Sequence, residues 1–109
     1  MTMNDYQRYA QRTSRKDIGK RDHLFNGIMG LCGEVGEVAD LVKKHEFQGG
    51  RPIHTALIDE LGDVLWYIAE TASAIGVDME TVAKHNIAKL ARRYPEGFDE
   101  DRSLHRTEV

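Results

Sequence analysis

An all-α fold is predicted from the hydrophobic patterning of this 109-residue chain. Leu24, Ile28, Leu31, Val35, Val38 and Val42 recur at alternating steps of four and three, and so do Leu57, Leu61, Val64, Ile68, Ala72 and Ile75. Steps of four and three keep one face of a helix apolar. No segment alternates polar and apolar residues over a useful length, so no sheet is expected. Both prolines, Pro52 and Pro95, fall where helices should begin or end. The expectation is a four-helix protomer whose spine is two long antiparallel helices joined by a turn.

The first helix is expected over about Asn4 to Arg15, with Tyr6, Tyr9 and Ala10 as its apolar contacts. The second runs from about Asp22 to Glu46, and Gln48-Gly49-Gly50-Arg51-Pro52 then breaks the chain. The third spans about His54 to Ile75, with Gly76 in the position that a helix C-cap favours. Asp78 is placed to cap the fourth, from about Met79 to Arg93, which stops before Pro95 and buries Ala83, Ile87, Leu90 and Tyr94. Residues 1–95 thus form one domain. The polar tail 96–109 is expected to be loosely ordered, or ordered only against another subunit.

Composition narrows the function. The chain is 40% hydrophobic and 30% charged, with a net charge of −3, which gives no reason to expect wholesale binding to nucleic acid or an anionic membrane. No apolar run reaches the length of a membrane span, and the polar N-terminus does not read as a secretory signal. Cys32 is the single cysteine, so no internal disulfide can form and a reducing cytoplasm suits the chain.

The strongest chemical signal is a repeated acidic pentapeptide, Glu34-Val35-Gly36-Glu37-Val38 and Glu60-Leu61-Gly62-Asp63-Val64. A spacing of three stacks both acids of each pair on one helical face. At about 100° per residue, Glu34 lies roughly 75° from the centre of its apolar stripe, and Glu60 roughly 80–90° from the centre of its own. Glu37 and Asp63 lie about 60° to the other side of Glu34 and Glu60, farther from the stripes. Antiparallel packing would therefore bring four carboxylates to one cleft beside the seam. Such a cluster needs a counter-charge. A hard divalent cation with oxygen ligands supplies it, Mg2+ first and Mn2+ as a substitute.

Gly27 and Gly30 fall on the acid side of the second helix, where missing side chains leave room for a ligand, while Gly33 and Gly36 lie elsewhere and permit close helix contacts. Tyr67 and Glu70 continue the acid face and read as structural. Trp66 lies off the stripe and reads first as a subunit contact. On the fourth helix Asn86, Lys89 and Arg93 share one face, whereas Arg92 points elsewhere as a solvated charge. Cations and an amide beside a metal-loaded acidic groove suit a triphosphate.

At these residues the chain resembles the MazG-like branch of the all-α nucleoside triphosphate pyrophosphohydrolases. Its E-x-x-E and E-x-x-D motifs match Glu34-Val35-Gly36-Glu37 and Glu60-Leu61-Gly62-Asp63 in order and separation, and the run from Asn86 to Pro95 is also similar. The resemblance covers about Leu24 to Pro95. It implies hydrolysis of a (deoxy)nucleoside triphosphate to monophosphate and pyrophosphate, with Mg2+ held by Glu34, Glu37, Glu60 and Asp63. It also implies a homodimer or dimer of dimers that completes a helical bundle. Water held between metal and carboxylate would attack the α-phosphorus, one of the four acids accepting its proton. Glu37 is taken first for that role, with Glu34 beside it. Lys89 and Arg93 would steady the departing pyrophosphate.

Other readings compete. Dimeric dUTPases and phosphoribosyl-ATP pyrophosphohydrolases carry similar acids, so substrate does not follow from the match. A di-iron bundle would want E-x-x-H on two helices, which this sequence lacks. A non-catalytic module that binds metal-nucleotide is the rival outside enzymes. The five histidines show no paired ligand spacing.

Overall fold

The computed structural model describes residues 1–47, 49 and 52–105. Five helices follow in order: α1 (Met3–Gln11), α2 (Lys20–Phe47), α3 (His54–Ala74), α4 (Met79–Arg93) and α5 (Glu100–Leu104). No strand occurs among the described residues. The expected break between the long helices falls where α2 ends and α3 begins, although Gln48, Gly50 and Arg51 lie outside the described residues.

Local signals set the helix ends. A capping box starts α1, with Asp5 N–H donating to Thr2 Oγ1 and Thr2 N–H donating to Asp5 Oδ2, both at 3.0 Å. The helix stops at Gln11, short of the expected Arg15. Thr13 Oγ1 donates to the Ala10 carbonyl at 2.8 Å, a side-chain bond of the kind that competes with a further helical turn. At the end of α3, Val77 N–H reaches the Ala72 carbonyl (2.9 Å) and Gly76 N–H reaches Ser73 (3.0 Å). This Schellman closure needs a left-handed residue, and Gly76 supplies it at φ +73°. Asp78 accepts from Thr81 N–H at 2.8 Å, as its capping position predicts. The structure adds two caps from α1: Gln7 Oε1 accepts from Met79 N–H (2.8 Å) and Asn4 Oδ1 from Glu80 N–H (3.0 Å).

The core matches the predicted stripes only in part. Ala10, Ala69, Ala72 and Met79 are buried, with Tyr6, Leu65, Trp66 and Ile68 packed against them, so α1 closes over the C-terminal half of α3 and the start of α4. Along the predicted stripes Leu24, Leu31, Val38, Leu57, Val64 and Ile68 are half-buried, but Ile28, Val35, Val42, Leu61 and Ile75 are exposed. Ala83, Ile87 and Leu90 are also exposed, which corrects the expected buried face of α4. For α2 and α3 the cause is the side on which they approach each other. An added Cβ at Gly27 would overlap Thr71, and one at Gly30 would overlap the Tyr67 ring. Those two glycines therefore admit α3 rather than a ligand, and the seam turns toward the acid side.

Two further expectations change. Trp66, expected first as a subunit contact, makes its polar contacts within the protomer, its Nε1–H donating to Thr13 Oγ1 (2.8 Å) and the Ala10 carbonyl (3.1 Å). The tail forms α5, because Asp99 accepts from Asp101 and Arg102 N–H and acids occupy the first turn. Residues 106–109 lie outside the described residues.

Glu70 ties the fold together at 1% exposure. Its Oε1 accepts from Ser14 Oγ (2.7 Å) and Gln11 Nε2 (3.1 Å), and Oε2 accepts from His23 Nδ1 (3.2 Å). Burial pushes its carboxyl up, but the hydrogen bonds from Ser14, Gln11 and His23 and the charge of His23 outweigh burial and hold it below the usual range. A lowered carboxylate stabilises the fold above its unfolded pKa, and that stability is lost as pH falls through the folded value. Replacing Glu70 with Ala strands three donors and should cost about 2–4 kcal/mol at pH 7. Thermal melts should show the gap between parent and variant shrinking below about pH 4. An unchanged gap there would remove Glu70 as the source.

Candidate metal centre

Glu34 on α2 and Glu60 and Asp63 on α3 each offer a carboxylate oxygen, and the three atoms lie within 4.8 Å of one another. Glu60 and Asp63 sit one turn apart on one helical face, as their spacing requires. Contacts between the helices run in opposite order, Gly27 against Thr71 and Gly30 against Tyr67, with Glu34 near Glu60 and Asp63. Antiparallel packing thus converts two sequence motifs into one cluster. Glu34 and Glu60 are half-buried and Asp63 is exposed.

Glu37 lies outside this group of three. It is exposed one turn beyond Glu34, close enough for its charge to bear on both Glu34 and Lys44. Lys44 pairs with Asp40 at 2.9 Å. Among the described residues, no basic side chain forms an ion pair with Glu34, Glu60 or Asp63.

The electrostatics of Glu34 follow. Burial first, then the charge of Asp63, a hydrogen bond with Glu60 and the charges of Glu60 and Glu37 push its carboxyl above the ordinary range. Converging, uncompensated oxygen donors fit a hard cation such as Mg2+ or Mn2+ and offer nothing to a soft one. Tyr6 of α1 is a neighbour that sequence reasoning placed only in the core. Burial and the Asp63 charge both push its phenol up. Nothing local marks it, since the docking of α1 onto α3 is a tertiary event.

The predicted cationic stripe divides. Asn86 and Lys89 line an open groove of about 510 Å³ together with Thr81, His85 and Arg92, over Val77 and Val82. Arg92 therefore joins the face from which the sequence reading excluded it. Arg93 is half-buried, and its carbonyl accepts from Arg102 Nη1 at 3.3 Å. This groove shares no residue with the acidic group.

Comparison with known proteins bears on this arrangement. A family model described as the MazG nucleotide pyrophosphohydrolase domain matches residues 26–98. Gene 37 protein of Mycobacterium phage L5 is 41% identical over 73 residues, covering 63% of this chain and 64% of the phage protein. dCTP pyrophosphatase 1 of Homo sapiens is 30% identical over 115 aligned residues, covering 99% of this chain and 68% of the human protein. The uncharacterized protein YvdC of Bacillus subtilis (strain 168) is 36% identical over 73 residues, 59% of this chain and 69% of that protein. The chain therefore spans about two thirds of the length of each of these relatives. No solved structure matches it.

The raised pKa of Glu34 has a sign that can be checked. Its ionised form is disfavoured in the fold, so the penalty is present above the folded value and is relieved as pH falls through it. Metal-free Glu34→Gln should therefore melt above the parent at pH 7, with the difference closing by about pH 4. Calorimetry with EDTA and then with Mg2+ tests both halves: Mg2+ should raise the parent's melting temperature and leave the variant's unchanged.

Proposed function

Because the chain belongs to the MazG nucleotide pyrophosphohydrolase family, we propose that it hydrolyses a nucleoside triphosphate to a monophosphate and pyrophosphate, using Mg2+ held by Glu34, Glu60 and Asp63 with Glu37 beside them. The observation that carries this reading is the set of three carboxylate oxygens within 4.8 Å, drawn from two helices inside the matched segment. Bound there, the ion would supply positive charge to phosphate oxygens and lower the pKa of a water.

The chain's own residues do the remaining work. Glu34, Glu60 and Asp63 would hold the cation and balance its charge. Glu37 stands apart from them, and its exposed carboxylate is free to accept a proton from the attacking water. Attack at the α-phosphorus breaks its bond to the oxygen that leads to the β-phosphorus. That oxygen leaves on pyrophosphate. Asn86, Lys89 and Arg93 are proposed to meet the nucleotide, and the groove adds Arg92 and His85 to the groups at hand. Cations there would balance charge that builds on the leaving group.

The human relative is named for dCTP, which makes dCTP the first substrate to try. Exposed Ile28, Val35, Val42 and Leu61 leave apolar surface uncovered in a single chain, which supports assembly into a homodimer or a dimer of dimers. The exposed thiol of Cys32 suits a reducing, cytoplasmic setting. No helix among the described residues is long and apolar enough to cross a membrane.

A panel of NTPs and dNTPs with Mg2+, scored for pyrophosphate against orthophosphate, tests the reaction. Monophosphate and pyrophosphate are expected. Asp63→Asn and Glu60→Gln should each lower kcat by about a hundredfold or more. Lys89→Ala should raise KM by about tenfold with a smaller change in kcat. Binding without turnover would favour the non-catalytic module, and orthophosphate with diphosphate would place attack at the γ-phosphorus.

A further inference from the structure

Glycines in α2 fall into two kinds. A Cβ added at Gly33 or Gly36 would meet no heavy atom within 4 Å. At Gly27 it would overlap the Thr71 hydroxyl and come within 3.2 Å of that residue's Cα and backbone N. At Gly30 it would run into the Tyr67 ring. Neither obstacle can readily step aside. The first includes the α3 backbone, and the Thr71 hydroxyl is bonded to the Tyr67 carbonyl at 2.8 Å. The second is a half-buried ring packed edge-on against Trp66, with centroids 4.9 Å apart and planes at 82°.

The placement of these contacts ties them to the acids. Gly30 lies one turn before Glu34 and Gly27 two turns before it, while Tyr67 and Thr71 follow Asp63 by one and two turns. Seven residues of helix span only about 10 Å, over which an α-helix behaves as a stiff rod. A wedge driven between the rods at Gly27 or Gly30 must therefore also displace Glu34 from Glu60 and Asp63. We infer that Gly27 and Gly30 are positioning residues of the metal site: their missing side chains set the separation of α2 and α3 at which three carboxylate oxygens can share one ion. This rests on the proposed function, since it presumes that the acids bind metal.

The test compares one chemical change at three places in the full chain. Gly27→Ala, Gly30→Ala and Gly33→Ala are titrated with Mn2+, free ion being read by electron paramagnetic resonance, and each is melted without metal. Gly27→Ala and Gly30→Ala should weaken Mn2+ binding by about tenfold or more, the range typical for loss of support around a metal site. Gly33→Ala should bind within about twofold of the parent and melt higher, since alanine favours helix where space is open. Shrinking the obstacle in Gly30→Ala/Tyr67→Ala should recover at least about threefold of the loss, a rescue that general destabilisation would not give. If Gly27→Ala fails to fold, the Gly30 pair decides. Parental affinity in Gly30→Ala, or an equal loss in Gly33→Ala, overturns the inference. A parent that binds no Mn2+ would overturn the proposed metal site instead, and so separates the two failures.

Discussion

Close approach of α2 to α3 at Gly27 and Gly30 is the constraint on which the rest of the molecule depends. Two ordinary helices pack with axes about 8–10 Å apart, a spacing governed by the side chains at the contact. Removing those side chains costs helix propensity, about 0.5–1 kcal/mol per glycine relative to alanine. In return the seam shifts away from the broad apolar stripe and onto its acidic flank. Glu34 then meets Glu60 and Asp63, and Val35, Leu61 and Ile75 turn outward. The unusual burial pattern and the acidic cluster thus share one cause.

A cluster of like charges destabilises the apo fold, so stability must come from another part of the structure. It comes from the opposite half of α3. There Glu70 is buried among Ser14, Gln11 and His23, and Gln7 bridges Ser73, the Val77 carbonyl and Met79 N–H. Each of these polar groups is satisfied, which is the condition under which buried polar networks rigidify a core. Carboxylates on the same helix thus have opposite fates. Glu70 is surrounded by donors and held ionised, while at the other end Glu60 and Asp63 are left without basic partners among the described residues.

Much of this was legible in the sequence because its signals were local. Helical period, the Asp78 cap and the Gly76 closure each act within about two turns and appear as expected, whereas the three-residue spacing brings Glu60 and Asp63 into the group but leaves Glu37 outside it. What could not be read was rotation. Gly27 and Gly30 announce a close approach but not its partner, and the wide stripes of α2 and α3 are compatible with several seams. Glu70 falls in line with Asp63 by periodicity, yet it is withdrawn from that surface by a loop and a helix far away in sequence. Trp66 is likewise claimed by Ala10 and Thr13. The tail's short helix was signalled by Asp99 ahead of Glu100 and Asp101, a cap hidden within a generally polar segment.

The family match divides the chain along the same physical line. Residues 26–98 include Gly27, Gly30, the acidic group and the groove of α4, but stop short of Gln7, Ser14 and His23. The features that bring metal ligands together are therefore contained in the matched segment. The donors that hold Glu70 are supplied from the preceding twenty-five residues. Such a division lets the supporting network differ without moving the acids, provided α3 remains anchored at its far end. The 30% identity with the human relative extends over 99% of this chain, so the anchoring segment belongs to the aligned region there even though the family model begins after it. What the two regions must agree on is the axis of α3, because that helix carries both the buried glutamate and two of the three acids.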